Sequence, residues 1–140
     1  MEKIPDKVIA FIQCSLFSIA DLDSLEYDDD GARIEVGREE YVILDDEEAD
    51  SAAKESIKES LWAFNASFLS SMTDLPEEVF TSLQDKCEGA NETFLKLVEQ
   101  SCGLDEFVEA AVSTDGRGHF LASYDHNETE EGDYFIYRVN

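Results

Sequence analysis

The sequence predicts an α+β fold in a single acidic domain covering residues 1–140: an N-terminal helix, a three-stranded antiparallel meander, a helical middle segment, and a C-terminal β-hairpin that joins the same sheet. Three observations carry this. Apolar residues recur at helical spacing near the start of the chain and again from about residue 46 to 113. Between and after those stretches the period shortens to two around glycine-containing turns. With 43% hydrophobic and 11% aromatic residues, 140 residues hold one domain's core, which separates this chain from the disordered class despite its charge.

Taken in order, Pro5 and Asp6 open a helix in which Val8, Phe11, Ile12, Leu16 and Ile19 share a face, predicting a buried helix over 6–20. Leu25–Tyr27, Ala32–Val36 and Glu40–Leu44 are short β-prone runs separated by Asp28-Asp29-Asp30-Gly31 and by a second turn at Gly37. Asp-Gly supplies the positive φ that a tight turn demands. Asp45 caps the stretch Ala49–Trp62, whose first turn is acidic, as the helix dipole favours. Ala53, Ile57, Leu61 and Phe64 form its apolar stripe; Glu48, Glu55 and Glu59 lie elsewhere. Three more helical patterns follow, punctuated by Asp74-Leu75-Pro76, Glu88-Gly89 and Cys102-Gly103. They carry Val79, Phe80 and Leu83, then Phe94, Leu95 and Val98, then Leu104, Phe107, Val108 and Ala111. Beyond Asp115-Gly116-Arg117-Gly118, the runs His119–Tyr124 and Tyr134–Val139 predict the closing hairpin across a polar loop, Asp125–Asp133. An isolated two-stranded hairpin is marginal in water, so it is expected to pair with the meander.

Thirty-four acids against 10 bases give a formal net charge of −24. The excess is even: residues 1–60 carry 18 acids and 6 bases, residues 61–140 carry 16 and 4. Direct nucleic-acid binding needs clustered Lys and Arg, and anionic membrane surfaces need the same, so both are excluded as partners. The N-terminal segment is mixed in charge and its apolar run is broken at Gln13, which predicts neither a signal peptide nor a membrane span. Cys14, Cys87 and Cys102 have no metal-like spacing and fit a reducing cytoplasm.

Motif candidates reduce mostly to turn chemistry. Read as a calcium loop from Glu26, the segment has Gly31 in sixth place but Ile34 and Gly37 in the ninth and twelfth, so the bidentate Glu is missing. Gly116-Arg117-Gly118 lacks the Lys-Ser/Thr ending of a phosphate loop and follows a helix, which makes it a helix end turning into the hairpin. His119 and His126 carry no metal-ligand spacing. No catalytic residue, metal or cofactor is expected.

The acidity is then the main functional signal. Solubility or adaptation to high salt would also produce it, and the chain keeps only 6 Lys. Self-repulsion at this density, however, opposes compactness. Carboxylates three and four apart on a helix stand about 5–6 Å apart, near the spacing of phosphates along a nucleic-acid backbone. Asp46/Asp50, Glu55/Glu59, Asp74/Glu77/Glu78, Asp85/Glu88 and Asp105/Glu109 have this spacing. The reading is a DNA mimic: a non-enzymatic inhibitor that fills the basic groove of a nucleic-acid-binding protein such as a nuclease, methyltransferase or Cas complex. The partner-binding residues expected are Asp28, Asp29, Asp30, Glu39, Glu40, Asp45, Asp46, Glu47, Glu48, Asp50, Glu55 and Glu59. A homodimer extending this surface stays open.

Three segments, Tyr41–Ala49, Glu59–Asn65 and Asp115–Asp125, resemble stretches of small acidic proteins encoded by bacteriophages and mobile elements; the Asp-Gly-Arg-Gly-His-Phe run is the most specific. The resemblance implies a counter-defence setting, antirestriction or anti-CRISPR in type, in the cytoplasm of a bacterial host. It also implies an alternative: a small phage enzyme or ligand-binding module with a site around Arg117, His119, Tyr124 and Asp125, since mimicry needs charge density and no particular residues.

Overall fold

The computed structural model describes residues 4–14 and 25–140. Its elements are α1 (Asp6–Gln13), β1 (Leu25–Tyr27), β2 (Arg33–Val36), β3 (Glu39–Asp45), α2 (Asp46–Glu59), α3 (Ala66–Thr73), α4 (Glu77–Gln84), α5 (Asn91–Gln100), α6 (Leu104–Asp115), α7 (Arg117–Leu121), β4 (Thr129–Glu131) and β5 (Tyr134–Arg138), with single 3-10 turns at Leu61–Ala63 and Cys87–Ala90. The chain divides into two compact units, residues 1–52 with 116–140 and residues 53–115; the division falls within α2.

The first unit is built on a five-stranded antiparallel sheet in the order β1-β2-β3-β5-β4. The meander forms as the Asp-Gly signal predicts. Gly31 takes φ +75°, and a Cβ there would meet Val8 Cγ2 at 2.8 Å, so both the turn and the packing demand glycine. The C-terminal strand joins the sheet by pairing with β3, Ile136 opposite Ile43 and Tyr137 opposite Val42. Alternation then gives the sheet two apolar faces over its β3–β5 half. Ile34, Val36, Tyr41, Ile43 and Ile136 pack with Val8, Phe11 and Cys14 of the N-terminal segment. On the other face, Tyr137 packs with Ala49 and Ala122, flanked by Leu44, Leu121 and Phe135.

Three expectations are corrected. The first helix ends at Gln13, because Cys14 is extended and its N–H caps the carbonyls of Ala10 and Phe11; positions 15–20 of the expected helix lie outside the described residues. Four helices, not three, lie between the 3-10 turn at Leu61–Ala63 and Gly116, the extra one being α3, whose N-terminus is capped by Asn65 accepting from Ser67 N–H at 2.8 Å. His119–Tyr124 is not a strand: 117–121 are helical, and the hairpin is β4 with β5 around Gly132 at φ +60°. Backbone space decides this. A Cβ on Gly118 would lie 2.8–2.9 Å from backbone atoms of His126, Asn127 and Glu128, so the helical turn lies directly against the chain that feeds β4.

In the second unit Ile57, Leu61, Leu69, Phe80, Phe94, Val98, Phe107 and Ala111 are buried. Phe107 receives Phe64 and Phe68 edge-on at 5.1 and 5.3 Å, while Phe80 stacks on Phe94 at 5.8 Å, geometries that aromatic quadrupoles favour. Asn91 and Gln84 tie the 3-10 turn down: Asn91 accepts from Trp62 N–H and donates to Lys58 C=O, and Gln84 donates to the carbonyls of Trp62 and Phe64. No helix among the described residues is long and apolar enough to cross a membrane.

Candidate partner-binding surface

The twelve acids expected to face a partner separate by what already engages them. In the first unit most are committed within the fold. Asp45 and Glu48 form a capping box: Asp45 Oδ1 accepts from Glu48 N–H at 2.8 Å, and Glu48 Oε1 accepts from Asp45 N–H at 3.0 Å, satisfying two helix-end donors. Glu48 also grips Lys7, a lysine only 9% exposed, at 2.8 Å. The Lys7 ammonium, then the Asp45 N–H, hold the Glu48 carboxyl below its ordinary value. In the hairpin turn Asp28 accepts from Arg33 N–H and Asp30 from Ala32 N–H, and the latter bond lowers the Asp30 carboxyl. Glu40 pairs with Arg33 and Glu39 with Arg138. Burial, then Glu39 beside it, pushes the Tyr41 hydroxyl up to about 12.

Asp46 and Asp50 converge on Arg117. Its side chain is 10% exposed; Nη1 lies 2.8 Å from Asp46 Oδ1 and 3.0 Å from Asp50 Oδ1, and Nε lies 2.8 Å from Glu128 Oε1. The guanidinium sits over the Phe135 ring, 4.5 Å from its centroid, and the buried Tyr137 hydroxyl donates to the same Glu128 oxygen. Burial works against the charge on Arg117, but the bonds to Asp46 and Asp50 and the charge of Glu128 outweigh it, so the guanidinium is held above its ordinary value. Burial, then the bond to Glu128, raises the Tyr137 hydroxyl.

This accounts for the chain's most specific run in structural terms. Gly116 takes φ +85°, Arg117 pairs with three carboxylates at once, and Gly118 leaves no room for a side chain. The other residues of the alternative site have different neighbours. His119 stacks with His126 at 5.1 Å, and its carbonyl meets His126 Nδ1 at 3.1 Å. Exposed Tyr124 lies beneath Arg138, 3.7 Å from its guanidinium carbon, and Asp125 accepts from Asn127 N–H in a turn. Among the described residues no three His, Cys, Asp or Glu side chains are placed to hold a metal ion.

The side chains of Asp29, Glu47, Glu55 and Glu59 are exposed and form no ion pair or hydrogen bond among the described residues. The sheet brings Glu26 and Glu35, which are not among the twelve, beside Glu40, which is. The three stand opposite one another across β1, β2 and β3, an arrangement that costs stability unless charge is offset. Arg33 offsets the last of them.

The second unit differs in kind. Residues 53–115 hold 13 acids against 4 bases, every one of those acids is exposed, and Lys54–Asp105 at 2.7 Å is the one ion pair among them. Glu77 and Glu78 on α4, Glu92 and Glu99 on α5, and Glu106 and Glu109 on α6 therefore present charge that no cation of their own unit neutralises. Helical spacing in the sequence singles out Glu77, Glu78 and Glu109 but not Glu92, Glu99 or Glu106, and it does not show which acids the fold engages. No protein-family model, curated protein or solved structure matches this chain.

Proposed function

We propose that this protein is a non-enzymatic acidic inhibitor that acts as a DNA mimic, occupying the basic nucleic-acid-binding surface of a nuclease, methyltransferase or Cas complex in a bacterial cytoplasm. The observation that supports it best is the excess negative charge of residues 53–115, whose acids are all solvent-facing, most of them on consecutive helices. Carboxylates at i, i+3 and i+4 repeat at about 5–6 Å, so a basic groove that reads phosphates meets comparable charges on a rigid support. Attraction of this kind accelerates association and weakens with salt. Phage origin belongs to the same proposal, since counter-defence is the setting in which blocking such enzymes is useful.

The binding surface then lies mainly on acids 55–109, since most of the acids of 28–50 are engaged within the first unit. The test is capture of partners from bacterial lysate on the tagged chain, washed along a salt series, with duplex DNA added to half the samples. A nucleic-acid-binding protein released by DNA is the expected result. Partners indifferent to DNA, or none beyond those of an equally acidic control protein, would overturn it.

A further inference from the structure

We infer that an opening between α3 and α6 seats a long cationic side chain, arginine or lysine, presented by a basic segment of a protein partner. This rests on the functional reading above and names the chemistry of one contact within it.

The opening follows from side-chain size along one seam. Phe68 of α3 and Phe107 of α6 close the seam edge-to-face at 5.3 Å. One turn further along each helix stand Met72 and Ala110, and alanine cannot fill the space that a phenylalanine fills. What remains is a shallow, solvent-open depression of about 310 Å³ lined by Met72, Ala110, Ser113, Glu106 and Glu109. Its wall is apolar where Met72 and Ala110 face it, and its rim carries two exposed carboxylates that no cation pairs with among the described residues.

That combination selects the occupant. Arginine and lysine lay an aliphatic stem along apolar surface and keep the charged head at the edge, where carboxylates give short, charge-assisted hydrogen bonds. Methionine adapts its shape to such a stem. A neutral apolar side chain would desolvate Glu106 and Glu109 without pairing them, which is unfavourable. A nucleic acid is repelled by the whole helical surface.

The test is methyl and amide NMR of the full chain titrated with a short peptide alternating arginine and alanine, at physiological ionic strength. The Met72 methyl and the amides of 106–113 are expected to shift first, and the same peptide with citrulline for arginine is expected to leave them in place. Glu106→Gln with Glu109→Gln, on the solvent side of α6, is expected to weaken binding about tenfold, the loss of roughly one charge-assisted bond. Ala110→Trp, which fills the opening, is expected to do the same, and Glu77→Gln with Glu78→Gln on α4 to change it less than about twofold. Should Ala110→Trp fail to fold, the glutamine pair alone decides. Shifts spread evenly over α4, α5 and α6, with equal losses from both glutamine pairs, would overturn the seat and leave the basic-partner reading standing. Absence of any shift even at low salt would overturn both.

Discussion

Arg117 Nη1 lies 2.8 Å from Asp46 Oδ1, although seventy-one positions separate the two in the chain. The pair fastens the start of α7 to the first turn of α2, where three acids follow one another in sequence. One nearly buried guanidinium thus allows Asp46, Asp50 and Glu128 to approach one another in a protein that has few cations to place.

Replacing Arg117 by Met is expected to destabilise the fold by about 2–4 kcal/mol, toward the lower end of what breaking a buried ion pair costs, because Asp46 and Asp50 remain largely solvated. Arg117→Lys keeps the charge but not the fork that reaches three carboxylates, so about half that loss is expected. Urea unfolding with an unchanged slope checks both, and a neutral result for Arg117→Met would show that the ion pairs contribute nothing net.

The two glycines flanking Arg117 should respond differently to alanine. At Gly116 there is open space but a φ of +85°, so the cost is backbone strain of about 1 kcal/mol. At Gly118 a Cβ meets backbone atoms of three residues at 2.8–2.9 Å, which cannot yield as a side chain can; about 2–3 kcal/mol is expected, near the upper range for overpacking. Thermal unfolding of the two variants should therefore rank Gly118→Ala well below Gly116→Ala.

These glycines also mark where the sequence stopped being readable. The meander, the capping of α2 by Asp45 and the pairing of the last strand with the sheet were legible, because turn glycines, an N-cap before an acidic turn and alternating apolar residues each have a local cause. The run His119–Tyr124 was not, since six residues satisfy a two-residue period and a short helical turn equally well, and the deciding factor was the close approach of residues 126–128 to Gly118. The candidate surface was half legible for a similar reason. Helical spacing identifies acids that can stand in rows, but whether Glu40 or Glu106 is free depends on where Arg33 and nine other cations are placed in three dimensions.

Glu48 gives a pH-dependent prediction with a definite sign. Its carboxyl is held below its ordinary 4.5 in the folded protein by Lys7 and the Asp45 N–H, so its ionised form is favoured by folding. That contribution is complete above the unfolded value of 4.5 and is lost as pH falls through the lower folded value. Glu48→Gln is therefore expected to be destabilised relative to the parent at neutral pH, with the gap narrowing on acidification below about 4.5. A gap that stays constant down to pH 3 would mean that Glu48 acts by packing or by neutral hydrogen bonding.

Paired and unpaired acids should separate cleanly when stability and binding are measured on the same variants. Neutralising Glu92 and Glu99 on α5 removes two exposed charges that form no ion pair; the repulsion relieved is set against the loss of their helical-spacing attraction to Lys96 and of Glu92's place in the first turn of α5, so stability should change by less than about 1 kcal/mol. Neutralising Asp46 and Asp50 removes both α2 partners of Arg117 and should lower stability. Binding to a basic nucleic-acid-binding protein should show the reverse order: the α5 pair weakens association and flattens its salt dependence, and the α2 pair does so only as far as it unfolds the chain. If instead the α2 pair controls binding at a salt concentration where its fold is intact, the acids that hold the sheet unit together are also the ones a partner reads, and the helical surface is solvation alone.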